Sequence, residues 1–142
     1  MTMTWGLPMA RILIIDDEAP VRRVLRDMLE SEGHEVVEAP DGAVAMRCWR
    51  EQPMDLIITD ILMPEKDGLE LIREIRRAAP GAKVIAMSGG GPQFHVRLLD
   101  VADRLGAART LQKPFAMNAF LDTVNAVLHG AGQSDPKLPR PS

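Results

Sequence analysis

Short apolar runs in this chain stop abruptly on residues that can do chemistry. Ile12-Leu13-Ile14-Ile15 ends in Asp16, Asp17 and Glu18, and Leu56-Ile57-Ile58 ends in Thr59 and Asp60. Val84-Ile85-Ala86-Met87 ends in Ser88, and Thr110-Leu111 is closely followed by Lys113. Carboxylates gathered in one small site repel unless a cation joins them. Oxygen donors alone favour a hard ion, and Mg²⁺ is the usual choice where phosphate is also handled. A lysine ammonium can hold a phosphoryl oxygen as a point charge, and a serine hydroxyl can donate to another. No Gly-x-x-x-x-Gly-Lys loop is present, so nucleotide binding is not indicated. No Ser–His or Cys–His constellation is evident. A carboxylate remains as nucleophile, and its product with a phosphodonor is an acyl phosphate.

Each of these residues also has a plainer reading. Asp60 can be a solvated strand end. Asp16 and Asp17 can serve a helix start, where acidic residues are favoured, and Glu18 can be only that. Lys113 alone can be a solvated surface lysine. Ser88 can cap a following helix or open a loop.

The elements that would carry these residues alternate. Continuous, mostly β-branched runs suit strands buried on both faces. Five are expected: at Ile12–Ile15, Val36–Val37, Leu56–Ile58, Val84–Met87 and Thr110–Leu111. Between and after them lie helical patterns. In the first, Val21, Val24, Leu25, Met28 and Leu29 share a face, and Gly33 is the stop. The second runs from Asp41 to Trp49, with Val44, Ala45 and Cys48 or Trp49 inward. Leu69, Leu71, Ile72 and Ile75 mark the third, ended by Pro80-Gly81. Leu98, Val101, Ala102 and Leu105 mark the fourth, with Gly106 as its stop. Met117, Phe120, Leu121, Val124, Val127 and Leu128 mark the fifth. Five strand–helix units imply an α/β fold, a parallel sheet with helices on both faces. In the doubly wound order 2-1-3-4-5, strands 1 and 3 flank the switch point, where ligands bind beyond the carboxyl ends. Asp16, Asp17 and Asp60 are then expected to be neighbours.

Composition narrows the function. The 142 residues suit one compact domain, 46% are hydrophobic, and the net charge is −3. Such a balance gives no electrostatic reason to expect nucleic acid or membrane as a partner. One cysteine excludes an intramolecular disulfide and fits a reducing, cytoplasmic setting. Cys48 is read as a helix core residue. His34, His95 and His129 are too widely spaced for a metal-ligand pattern and are read as structural or solvent-exposed. Residues 1–9 are expected to be a disordered leader, 10–129 the domain, and 130–142 a disordered Gly/Pro/Ser-rich tail.

The motifs together resemble the receiver domain of bacterial two-component response regulators, chemotaxis-type and single-domain, with a flavodoxin-like fold. The resemblance covers roughly Arg11 to His129. It rests on Ile14-Ile15-Asp16-Asp17-Glu18, Asp60-Ile61-Leu62-Met63-Pro64 with Asp67-Gly68, Met87-Ser88-Gly89, and Lys113-Pro114-Phe115. It implies that Asp60 is the phosphoacceptor and that Mg²⁺ is bound directly by Asp17 and mainly through water by Asp16. The backbone carbonyl of Leu62 would complete the protein's share of ligands. Lys113 would hold a phosphoryl oxygen, its bond to Pro114 being cis, and Ser88 would move toward the phosphoryl group as the switch. A histidine kinase, a histidine phosphotransfer protein or a small acyl phosphate would supply the phosphate. The first helix, with Arg22, Arg23 and Arg26, would offer a docking surface.

One position departs from the family pattern. Thr110 stands where a tyrosine or phenylalanine is usual, three residues before the lysine. Output is therefore expected to use the Gly89-Gly90-Gly91-Pro92 loop and the fourth helix, with Phe94 or His95. The leading expectation is a stand-alone receiver, not an enzyme beyond its own phosphorylation and dephosphorylation. It would signal by altered protein binding or by phosphorelay to a downstream protein. One alternative is the receiver of a longer regulator. Another is an aspartate-nucleophile phosphohydrolase, although there the nucleophile and a second acid alternate after the first strand, whereas Asp16 and Asp17 are adjacent.

Overall fold

The structure, a computed structural model, describes residues 10–61, 68–89 and 100–129. The strands are β1 (Arg11–Ile15), β2 (Glu35–Ala39), β3 (Leu56–Asp60), β4 (Val84–Ser88) and β5 (Arg109–Gln112). The helices are α1 (Ala19–Ser31), α2 (Gly42–Glu51), α3 (Gly68–Ala78), α4, described over residues 100–104, and α5 (Met117–His129). All strand pairs are parallel, and the sheet order is β2-β1-β3-β4-β5. This is the doubly wound arrangement expected from the sequence. The leader over residues 1–9 and the tail over 130–142 lie outside the described residues, as do Leu62, Met63, Pro64, Asp67, Gly90, Gly91, Pro92, Phe94, His95 and Leu98.

Unbroken apolar strands are explained by burial on both faces. Alternate residues of one strand enter different cores. Leu13 and Ile15 of β1 pack with Ile57, Val84 and Ala86 against Ala45 and Met46 of α2, Leu71, Ile72 and Ile75 of α3, and Ala102 of α4. Ile12 and Ile14 pack with Val36, Leu56, Ile58, Ile85 and Met87 against Leu25 and Leu29 of α1 and Phe120, Val124 and Val127 of α5. Two helices thus cover one face and three the other.

The helix ends have local causes. Pro20 sits in the first turn of α1, where its missing N–H costs nothing, and Glu18 is the N-cap residue without a side-chain cap bond. Gly33 has φ 94°, which lets the chain turn from α1 into β2. Asp41 caps α2 by accepting from the Val44 N–H at 2.9 Å. One expectation needs correction. Val24 does not join the core face of α1: it is 55% exposed, whereas Leu25 and Leu29 are buried. The five apolar positions read as one face span an arc too wide for the sheet to cover.

Candidate functional site

The sheet order places β1 and β3 side by side, so their carboxyl ends bring Asp16, Asp17 and Asp60 together. One carboxylate oxygen from each lies within 4.8 Å of the others. Asp16 is fully buried, Asp60 is 6% exposed, and Asp17 is exposed. Asp60 is reached by β5 through one residue. The Lys113 ammonium donates to Asp16 Oδ2 at 2.7 Å and to Asp60 Oδ2 at 3.1 Å. Its Nζ is also 3.9 Å from a Glu18 carboxylate oxygen. Burial pushes the Lys113 ammonium toward a lower pKa. Its hydrogen bond to Asp16 and the negative charge of Asp60 and Asp16 outweigh that and raise it above the usual lysine value. The Lys113–Pro114 peptide is cis.

The backbone of this corner is pinned as tightly as its side chains. Asp16 Oδ1 accepts from the Glu18 N–H at 2.9 Å, a local turn that the sequence suggests by an aspartate before a helix. The Ile61 N–H donates to the Met87 carbonyl at 2.9 Å, and the Gly68 N–H to the Ile61 carbonyl at 2.8 Å. A Cβ at Gly68 would stand 2.3 Å from the Asp60 carbonyl oxygen, so only glycine fits behind the end of β3. Ser88 is buried, and its hydroxyl donates to the Gly89 carbonyl at 3.1 Å. The Lys113 N–H donates to the Ser88 carbonyl at 2.7 Å, which fixes lysine and serine to each other. Thr110 lies half-buried on β5, in register with Ala86 of β4.

The donor set fits a hard divalent cation. It offers oxygen alone, and three carboxylates face one ammonium, leaving excess negative charge at a largely buried point. Leu62, the expected carbonyl ligand, lies outside the described residues.

Beside Lys113 an apolar groove of about 420 Å³ opens between α1 and the segment joining β5 to α5. Pro20, Val21, Val24, Leu25 and Met28 form one wall, and Pro114 and Phe115 the other. The Phe115 ring stacks on buried Phe120 at 5.5 Å, which holds that wall in place. The groove is not evident from the sequence, because the apolar residues of α1 read there as a single face. Its sign there is an apolar count on α1 larger than one sheet-facing stripe needs. Of the arginines of α1, Arg22 and Arg26 both grip Glu38 on β2, at 3.0 and 2.8 Å, while Arg23 is exposed.

The sequence matches a family profile described as the response regulator receiver domain over residues 12–125. It is 39% identical over 120 residues to the chemotaxis protein CheY of Bacillus subtilis, covering 84% of this chain and 98% of that protein. It is 33% identical to the DNA-binding transcriptional regulator NtrC of Azospirillum brasilense, over 92% of this chain but 28% of that protein. The crystal structure of the receiver domain of NtrX from Brucella abortus matches with a TM-score of 0.79 at 30% identity, covering 84% of this chain and 99% of that one.

Proposed function

Because the chain belongs to the response regulator receiver family, we propose that Asp60 accepts a phosphoryl group in a Mg²⁺-dependent reaction and so switches the binding of another protein. The observation that carries this is the Lys113 ammonium held between Asp16 and Asp60 within a cluster of three carboxylates at the switch point. An Asp60 carboxylate oxygen attacks phosphorus, the bond from phosphorus to the donor atom breaks, and the donor leaves with the electron pair. Lys113 then exchanges a carboxylate contact for a phosphoryl oxygen. Ser88 turns its hydroxyl from the Gly89 carbonyl to a second phosphoryl oxygen. Asp16, Asp17 and Asp60 would hold a divalent cation, which would supply the positive charge that this transfer needs.

The donor is a histidine kinase or a histidine phosphotransfer protein, and small acyl phosphates substitute for it. The apolar groove beside Lys113 suits the helix of such a donor. The domain spans residues 10–129 and is regulatory and cytoplasmic; no helix among the described residues is long and apolar enough to cross a membrane. With Thr110 at the usual aromatic position, output runs through the segment after Ser88 and α4. The receiver of a longer regulator is the second reading, favoured by the NtrC of which this chain spans 28%.

The test is incubation with acetyl phosphate and Mg²⁺, read by intact mass. A single phosphoryl adduct is expected, absent with EDTA and in Asp60→Asn. An adduct that persists in Asp60→Asn moves the acceptor elsewhere.

A further inference from the structure

Arg22 makes contacts that the phosphoryl chemistry leaves unused. Its side chain is 15% exposed. Nε donates to Glu38 Oε1 at 3.0 Å, and Nη1 donates to the Asp16 carbonyl oxygen at 2.6 Å. One turn further on, Arg26 donates to the other oxygen of Glu38 at 2.8 Å. The Arg26 bond, aided by Arg22 and opposed by burial, holds the Glu38 carboxyl below its usual range. Glu38 is therefore a fixed anion, and it sets the plane of the Arg22 guanidinium. One side chain ties α1, β2 and the carboxyl end of β1 together.

The target of the second bond decides its meaning. The Asp16 N–H donates to the Ala39 carbonyl at 3.2 Å, Oδ1 accepts from the Glu18 N–H, and Oδ2 accepts from Lys113. Its carbonyl is the polar group that those three bonds leave over, and Arg22 takes it. That carbonyl belongs to the peptide joining Asp16 to Asp17. Rotation of this peptide would swing Asp17, the exposed member of the carboxylate cluster. A guanidinium suits the task because its planar fork serves two acceptors at fixed angles.

We propose that Arg22 is a positioning residue of the phosphoacceptor site: it holds the Asp16–Asp17 peptide and thereby sets where the Asp17 carboxylate stands to receive a divalent cation. This rests on the phosphoacceptor reading above. Arg22 acts through the backbone carbonyl of Asp16, not as a ligand of cation or phosphate. The plainer role, an ion pair that only fastens α1 to β2, predicts lost stability without lost metal affinity.

The test compares wild type, Arg22→Met, Arg22→Lys and Glu38→Gln by calorimetric titration with Mg²⁺, with urea unfolding in EDTA run on each. Arg22→Met is expected to weaken Mg²⁺ binding about tenfold, as loss of an orienting partner typically does. The Mg²⁺ concentration for half-maximal labelling by acetyl phosphate rises in step. Arg22→Lys keeps one donor and recovers part of the affinity. Mg²⁺ affinity unchanged in Arg22→Met, whatever happens to its stability, overturns the proposal. If Arg22→Met does not fold, Glu38→Gln decides: a weaker shift in the same direction supports the proposal, and unchanged affinity overturns it. Mg²⁺ uptake by wild type without any phosphoryl adduct on Asp60 would sink the phosphoacceptor reading, while the Arg22 comparison still decides its own claim.

Discussion

Lys113 holds a single positive charge against two carboxylates, one of them fully buried. Replacing it with methionine strands Asp16 beside Asp60 without a cation. In EDTA, Lys113→Met should lose about 3 kcal/mol by urea unfolding, the usual scale for breaking a buried pair from one side. Millimolar Mg²⁺ should restore more stability to the variant than it adds to wild type, because ligand binding to the folded state stabilises it. An equal Mg²⁺ effect on both would show that Lys113 and the cation do not share those charges. Gly68 is the other sensitive position. Gly68→Ala forces a methyl against the Asp60 carbonyl and the Ile61 Cα, so a loss of about 2 kcal/mol and slower labelling of Asp60 are expected. Unaltered unfolding and labelling would mean that α3 shifts without cost. The acids were legible in sequence because each stands where a strand stops. Lys113 was legible in the same way, but its bonds to two carboxylates at once were not: it lies 97 residues from Asp16, and a sequence does not show which acids one ammonium reaches.

At the scale of elements, α1 shows where periodicity misleads. Val21, Val24, Leu25, Met28 and Leu29 satisfy one helical pattern, yet the sheet buries only Leu25 and Leu29. Val24 turns to the surface, Val21 and Met28 stay half-buried against the same core, and all three line the groove beside Lys113. An apolar residue more than half exposed at that place fits a surface that another protein covers. Val24→Glu should therefore slow phosphoryl transfer from a protein donor by tenfold or more, since burying a charge against an apolar helix is costly. Labelling by acetyl phosphate should stay near wild type, because that donor needs no groove. Equal slowing with both donors would remove the groove from the reaction. Charge reversal at Arg22 or Arg26 is a poorer test of docking, since either change also breaks the grip on Glu38.

For the whole molecule, the sheet order and the two-sided core followed from strands apolar at every position, since only burial on both faces tolerates that pattern. A sequence run cannot show which end of the sheet a connecting residue occupies, and His34 illustrates the gap. It sits between α1 and β2, at the amino end of the sheet, away from the carboxylate cluster. It is 5% exposed, and its Nδ1 has no hydrogen-bond partner. Burial lowers its pKa below the ordinary imidazole value of 6.5, with the charge of Glu32 opposing and that of His129 adding to the effect. Asp55, Lys83 and His129 line the same cleft. The folded protein thus holds His34 neutral where the unfolded chain would protonate it. Stability from this residue is fully present above pH 6.5 and falls as the pH drops toward the lower, folded-state pKa. The slope cannot exceed one proton's worth, about 1.4 kcal/mol per pH unit. Glu38 contributes with the same sign, its stability being present above the ordinary glutamate value of 4.5 and lost as the pH falls below it. Urea unfolding between about pH 7.5 and 5.5 should show a decline in wild type that flattens in His34→Phe, which keeps a ring and cannot take a proton. The same decline in both proteins would assign the acid sensitivity to other groups.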